Sequence, residues 1–378
     1  MIQGTGRAWI ELDMNNLRHN LSSLQNRLPD NCRLMASVKA DAYGHGAAEI
    51  CRELNSFGVR SFCVATAAEG VKLRKRHIKG KILVLGYTHP GQFHLLIKYG
   101  LTQTVLDLAY AESLNDFGGK FLVHIKIDTG LRRMGERSEN LDAIIRIFEF
   151  ENLIIEGIYT HFSAESSTEM AIKFTGKQLE HFNRLRAGIE KRGFAWPKAH
   201  AQSSFSILSG PDFGFDYARA GRALYGITSD FAGSGSYEAE FLPVLSLKAR
   251  IGAVKTVFAG EYIGYAFKFK APKDMKIAVL TIGYADGLPR SLSYGAGHVL
   301  IKGYRAPILG CVCMDQTMVD VTDIEKVERG DIAVAIGKSG ELEIGHREAA
   351  EKAGTTATEF LSRLGPRLER IVIDGVSV

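Results

Sequence analysis

Short, nearly continuous apolar runs recur along the first 226 residues, with longer amphipathic stretches between them. The runs are Arg33–Ala40, Ser61–Thr66, Lys81–Gly86, Leu101–Val105, Phe121–Asp128, Ile154–Phe162, Trp196–Ser204 and Tyr217–Gly226, most of them rich in Val, Ile, Leu and Ala. Strands buried on both faces read this way, as in a parallel sheet. Between them, Ala47–Phe57 carries Ala48, Cys51, Leu54 and Phe57 three apart, and Phe174–Arg192 sets Leu179, Phe182, Leu185 and Ile189 on one side. That spacing is helical. Eight strand–helix units predict an α/β chain built on a (β/α)8 barrel. An open doubly wound sheet is the competitor, but its G-x-G-x-x-G fingerprint after the first strand is absent.

The texture changes after Asp230–Glu238, a Gly- and Ser-rich stretch that reads as a linker. Beyond it, Leu242–Lys255, Lys276–Tyr284, His298–Ile301, Ala306–Val312 and Met318–Val321 read as strands, and Arg347–Leu364 as the first long helix. The expected organisation is a barrel over residues 1–233 and a mainly β domain over 234–378.

Composition narrows the function. Of 378 residues, 46% are hydrophobic and 24% charged, which supplies a core and excludes disorder. Forty glycines exceed the roughly 26 of average usage, which implies many tight turns. The net charge of +5 is too small and dispersed to suggest a nucleic-acid partner. Five cysteines without CxxC spacing read as free thiols in a reducing compartment, and no metal-ligand pattern stands out. No apolar run reaches the 18 residues of a membrane span. A cytoplasmic location is expected.

Barrels of this type place their chemistry at the C-terminal strand ends. The first strand ends in V-K-A-D-A-Y-G-H-G, with Lys39 and Tyr43. A desolvated lysine there is a nucleophile toward carbonyls; by itself it reads more readily as a snorkelling surface residue. Tyr43 and the flanking glycines suit a phosphate. The fifth strand leads into K-I-D-T-G-L-R-R-M-G, whose arginines suit a carboxylate. The later strands end in Tyr159-Thr160-His161-Phe162, His200-Ala201-Gln202-Ser203-Ser204 and Arg219-Ala220-Gly221-Arg222. Polar ends converging on one mouth favour a site over scattered structural polar residues.

These motifs, with I-G-Y-A-F, I-G-Y-A-D-G and C-M-D-Q in the second domain, resemble bacterial alanine racemases. The resemblance runs from about Arg7 to the C-terminus. It implies pyridoxal 5′-phosphate (PLP) as cofactor, no metal, a small amino-acid substrate, and a head-to-tail homodimer whose active sites are shared between chains. It implies L/D-alanine interconversion, which supplies D-amino acid for peptidoglycan.

Residue by residue, the resemblance makes Lys39 the Schiff-base lysine and Tyr265 a second base contributed by the partner subunit. Proton removal on one face and return on the other calls for two such groups. A phenol with pKa near 10 is a weak base at neutral pH, and His161 is implied to tune it. Arg219 matches the residue facing the pyridine nitrogen, with His200 behind it. Tyr43, Ser204, Gly221 and Arg222 match phosphate contacts. Arg133 matches the arginine at the phenolic oxygen and substrate. Tyr284 and Met314 match pocket and entrance residues from the partner. Lys126 matches a lysine that positions the arginine and is carbamylated in some members.

The chain departs from the family at four places. Thr358 stands where a tyrosine usually precedes glutamate, Ser203 where asparagine is common, Arg222 where an aliphatic residue is common, and Cys311 where arginine is frequent. Loss of the tyrosine enlarges the pocket and adds a hydroxyl, which favours a hydroxymethyl side chain. The alternative reading is therefore a serine racemase with residual alanine activity, of the vancomycin-resistance type. In that case the chain is the cytoplasmic part of a membrane protein.

Overall fold

The computed structural model describes residues 6–164, 166–228 and 240–373. Eight parallel strands close a barrel: Arg33–Ser37, Ser61–Val64, Lys81–Val84, Thr102–Val105, Phe121–Asp128, Leu153–Tyr159, Lys198–His200 and Tyr217–Ala220. The ring shuts where Arg219 lies opposite Met35. Strand alternation decides what fills it. Met35, Cys63, Leu83 and Tyr217 form one small cluster. Their chain neighbours Ala36, Phe62, Ile82 and Ala218 belong instead to the large core shared with the surrounding helices.

The second domain is a nine-stranded sheet curled on itself. Its long strand Leu245–Val257 pairs with Met275–Leu280 and also with Ile332–Ser339, which closes the curl. Ala8–Asp13 joins this sheet, antiparallel to Leu245–Val257 and parallel to Glu369–Ile373. The chain thus starts in the β sheet and enters the barrel through Met14–Gln25, a helix capped by Asp13, whose carboxylate accepts from Asn16 N at 3.0 Å. The expected linker Asp230–Glu238 and the boundary at 233/234 lie outside the described residues.

Where the structure departs from the sequence pattern, local chemistry explains it. The expected helix Arg347–Leu364 is two helices, His346–Ala353 and Ala357–Ser362. Gly354, at φ 69°, ends the first and the Thr356 hydroxyl caps the second. The helix over 174–192 begins earlier, at Glu169, because Thr168 caps it. The first barrel strand stops at Ser37 instead of Ala40. Beyond it the chain makes one turn of left-handed helix: Ala40, Asp41, Ala42 and Tyr43 have φ between 51° and 55°. Each such non-glycine residue costs about 1–2 kcal/mol. Ala42 N still bonds Val38 O at 2.9 Å and Gly44 N bonds Ala40 O at 3.0 Å.

Gly44 ends this turn at φ 86°, and a Cβ there would lie 1.9 Å from Leu361 O. Gly44→Ala is therefore expected to destabilise the chain by about 3 kcal/mol or more, since strain and overlap with backbone add. Denaturant unfolding measures this; a change under about 0.5 kcal/mol, typical of an unconstrained surface site, would contradict it.

Candidate active site

One cavity of about 460 Å³ opens at the C-terminal end of the barrel. Its walls come from the same alternation. Two residues along each strand from the interior cluster, Met35 gives way to Ser37, Leu83 to Leu85 and Tyr217 to Arg219, and all three line the cavity together with Cys63. Lys39, Tyr43, Lys126, Arg133, His161, Ser203, Ser204, Arg219, Gly221, Arg222 and Thr358 line it too, so eleven positions singled out in the sequence meet there. Five of them are cationic, and no aspartate or glutamate is among the lining residues. Such a wall suits an anion.

The guanidinium of Arg219 is the hub. It is 6% exposed, and it donates to His200 Nδ1, to His161 Nδ1 at 2.9 Å, and to the carbonyls of Thr160 and Ala201, each at 2.9 Å. Arginine has no acceptor, so both imidazoles accept through Nδ1. Burial, then the charge of Arg219, holds the pKa of His161 and of His200 well below 6.5. A neutral ring accepting at Nδ1 carries its hydrogen on Nε2. His200 donates that hydrogen to His124 Nδ1 at 2.8 Å. His124 is 3% exposed, and burial pushes its pKa down to about 3. The motifs gave it no role. Its cue was the strand period, since His124 lies two residues before Lys126 on the same inward face.

Tyr159 stacks on His200 with ring centroids 4.6 Å apart, under the side chains of Arg219 and Lys126. Its hydroxyl shares a hydrogen bond with Thr104 Oγ1 at 3.0 Å, and burial raises its pKa to about 12. Lys126 Nζ donates to Ile127 O at 2.7 Å. Burial, with Arg219 next, pushes its pKa down to about 7.

On the opposite wall Gly221 N donates to Ser204 Oγ at 2.9 Å. A Cβ on Gly221 would sit 2.8 Å from the Tyr43 hydroxyl. The absent side chain keeps a cradle of hydroxyl and backbone groups open. Thr356 and Ser362, unassigned from sequence, add two more hydroxyls beside Thr358.

Three expected site residues lie elsewhere. Tyr265, Tyr284 and Met314 are on the β domain, 70%, 43% and 53% exposed, and none lines the cavity of its own chain. Tyr284 N donates to Cys313 O at 2.9 Å and Ala285 N to Met314 O at 3.0 Å, so the two second-domain motifs form one unit. Asp286, fully buried, ties that unit to Arg7 and Arg367. No helix among the described residues is long and apolar enough to cross a membrane, and no group of metal-ligating side chains occurs among them.

A barrel and a curled β domain, with a lysine, a hydroxyl cradle and five cations around one cavity, define a protein built for a phosphorylated carbonyl cofactor. The chain belongs to the alanine racemase family. The model of its N-terminal domain matches residues 12–229 and that of its C-terminal domain residues 244–372. An amino-acid racemase of Enterococcus faecalis is 41% identical over 97% of this chain and 52% of its own length. An alanine racemase of Carboxydothermus hydrogenoformans is 39% identical over 97% of this chain and 99% of its own. A serine/alanine racemase of Enterococcus gallinarum is 35% identical over 96% of this chain and 51% of its own. The chain thus spans about half the length of both Enterococcus relatives. The solved alanine racemase of Clostridium difficile 630 superposes with a TM-score of 0.90 at 33% identity, covering 99% of this chain and 97% of that one. That of Bartonella henselae, with covalently bound pyridoxal phosphate, superposes at 0.83 with 29% identity, covering 97% of this chain and 100% of that one.

The family is PLP-dependent, and the residues present fit that group: a cavity-facing amine, a hydroxyl cradle on Gly221, and cations around them. The neutral imidazoles carry a prediction. His124, His161 and His200 should show no titration between pH 5 and 8 in nitrogen-15 spectra. Since their folded pKa values lie below the ordinary 6.5, the unfolded chain takes up more protons as pH falls. Stability should therefore decline below about pH 6.5, and replacing all three with glutamine should flatten that decline. A midpoint near 6.5 for any of these rings in the folded protein would refute the assignment.

Proposed function

We propose that this chain is a PLP-dependent racemase that interconverts L- and D-alanine. The observation that carries the reading is the cavity itself, in which Lys39 shares one cation-lined wall with Arg133 and Arg219 and no carboxylate competes. PLP, when bound, draws electrons from the substrate and acidifies its Cα–H. The chain's own residues do the rest.

Lys39 holds the cofactor and serves as the base on one face. Tyr43, Ser204 and Gly221 hold its phosphate, with Arg222 and Thr358 at the same wall. Arg133 orients the substrate carboxylate. Arg219, which lines the cavity and does not give up its proton, would face the pyridine nitrogen as an N–H donor and would leave it unprotonated, which would restrain side reactions such as transamination.

The opposite face needs a second base, and the family resemblance assigns that role to Tyr265. Tyr265 is exposed on the β domain of its own chain. In the proposed homodimer the partner's Tyr265 enters the cavity, with the partner's Tyr284 and the partner's Met314 at its entrance. The site is incomplete without that second copy. His161 then offers Nε2–H to the phenol oxygen, and the surrounding cations favour the phenolate, which makes a weak base competent.

Thr356, Thr358 and Ser362 favour a second reading, serine, because they add three hydroxyls to the cavity lining that could meet a hydroxymethyl side chain. We place alanine first because no single pocket residue discriminates one hydroxyl strongly.

Borohydride reduction of the yellow, PLP-loaded protein should fix the cofactor onto Lys39; colourless protein that binds no PLP would overturn the reading. Tyr265→Phe should lower racemisation at least about a hundredfold, the scale of a lost acid–base group, with PLP retained. In deuterated water this variant should still exchange the α-hydrogen of one enantiomer and not the other. Equal exchange of both would eliminate the two-base scheme. The ratio of kcat/KM for L-Ser to that for L-Ala separates the two substrates, and Thr358→Tyr should lower it about tenfold.

A further inference from the structure

The helix Glu169–Lys191 buries Gln178, Phe182, Leu185 and Ile189. The first position in this stripe is an amide, 1% exposed, where an apolar side chain would serve packing. Burying an amide costs free energy unless its hydrogen bonds are made. Here they are all made, and all go to the mouth of the barrel. Nε2 donates to His161 O at 3.1 Å and to Thr129 Oγ1 at 3.2 Å. Oε1 accepts from Ser163 N at 2.9 Å.

These partners lie on two arms of the cavity. His161 and Ser163 come after the strand Leu153–Tyr159, while Thr129 opens the loop that leads to Arg133. Thr129 Oγ1 and Thr160 Oγ1 add a second stitch at 2.7 Å, and Thr160 O accepts from Arg219. Gly130 lets the loop lie against the helix: a Cβ there would be 3.1 Å from Phe174 and 3.4 Å from Gln178 Cγ. Asp128 Oδ1 then accepts from Gly130 N at 2.8 Å and Arg132 N at 3.1 Å, which shapes the loop around the arginines. On the other arm it is backbone that is held. The Ser163 hydroxyl is buried with no hydrogen-bond partner, and the helix reaches the residue through its N–H.

We propose that Gln178 is a positioning residue that sets the distance between Arg133 and His161 across the cavity. This rests on the racemase reading above. Arg133 fixes the substrate carboxylate and His161 serves the phenol base, so the spacing between them aligns the Cα–H with that base. A misplacement of about 1 Å in such an arrangement costs on the order of a hundredfold in rate.

The test uses the full, PLP-loaded chain and two variants. Gln178→Met keeps length and burial and removes all three bonds. Gln178→Glu keeps the acceptor for Ser163 N and, while ionised, loses both donors. Amide hydrogen exchange is followed over 128–136 and 160–164, with the 182–189 stretch of the helix as reference. In Gln178→Met, exchange should quicken about tenfold or more in both arms, the scale of a lost hydrogen bond, with the reference unchanged. PLP content should be retained while kcat/KM for alanine falls tenfold or more. Gln178→Glu should regain activity as pH is lowered and its buried carboxyl becomes a donor toward His161 O, a pH dependence the Met variant lacks. Faster exchange in neither arm or only one, kcat/KM within twofold of the parent protein, or a Glu variant with the pH profile of the Met variant would each overturn the proposal. If the parent protein fails to racemise alanine, the racemase reading falls, and the exchange measurement alone still decides whether Gln178 holds the two arms together. If Gln178→Met does not fold, Gln178→Glu carries the same comparison.

Discussion

The structure turns on the single left-handed turn after Lys39. Four successive residues, none of them glycine, adopt positive φ. At about 1–2 kcal/mol each, the strain is comparable to a good part of a domain's net stability. It persists because neighbours hold the turn from every side. Glu69 accepts from Ala40 N at 2.8 Å, and Asp41 accepts from Ala47 N at 2.8 Å. His45 bonds the carbonyls of Ala42 and Tyr43 and packs on Tyr225. Arg370, on a strand of the second domain, donates to Gly44 O, and Leu361 O fills the space a side chain at Gly44 would need. The helix Ala357–Ser362 that supplies Leu361 also brings Thr358 and Ser362 to the cavity. One contact thus fixes the lysine, docks the two domains and completes the wall.

The cost of the charged wall is of the same kind. Burial of basic groups, with the charge of Arg219 next, pushes Lys126 down to about 7 and keeps the His161 imidazole neutral beside other cations of the same cavity. An anionic cofactor offsets the repulsion between these charges. The chain is built to be less comfortable empty than loaded, so bound PLP is expected to stabilise it by mass action.

The barrel was legible because buried strands must be apolar and must alternate with helices. The site was legible where its residues cluster in motifs at strand ends, as with Lys39, Arg133 and Arg219. What stayed hidden depends on long-range geometry. No pattern marks Ala8–Asp13 as a strand of the second domain, since its antiparallel partner Leu245–Val257 lies far along the chain. The stripe on the long helix read as Leu179 with Phe182, while the fully buried position is Gln178, a polar residue that periodicity alone discounts. His124 is invisible until His200 stands beside it. The left-handed turn is hidden for the opposite reason: K-A-D-A-Y contains good formers of ordinary right-handed helix, and tertiary contacts override them.

The division of labour in the proposed site comes from these constraints. A lysine set just before a strained turn and an arginine hub need a rigid surround, and the barrel supplies it through inward-facing side chains such as His200 and Tyr159. In the proposed two-base scheme the base on the other face of the substrate comes from outside the strands that form the lysine's barrel. The scheme assigns that role to Tyr265 of the β domain, on a turn where Gly264 has φ 76° and a Cβ would lie 3.0 Å from Met318 Cε. The phenol is exposed in its own chain, and in the proposed homodimer it would gain a cation-lined environment. If the proposed homodimer forms, assembly would do more than bury surface: it would convert a surface phenol into a base, and a lone chain would keep its lysine and cofactor cradle while lacking the second half of the proposed reaction.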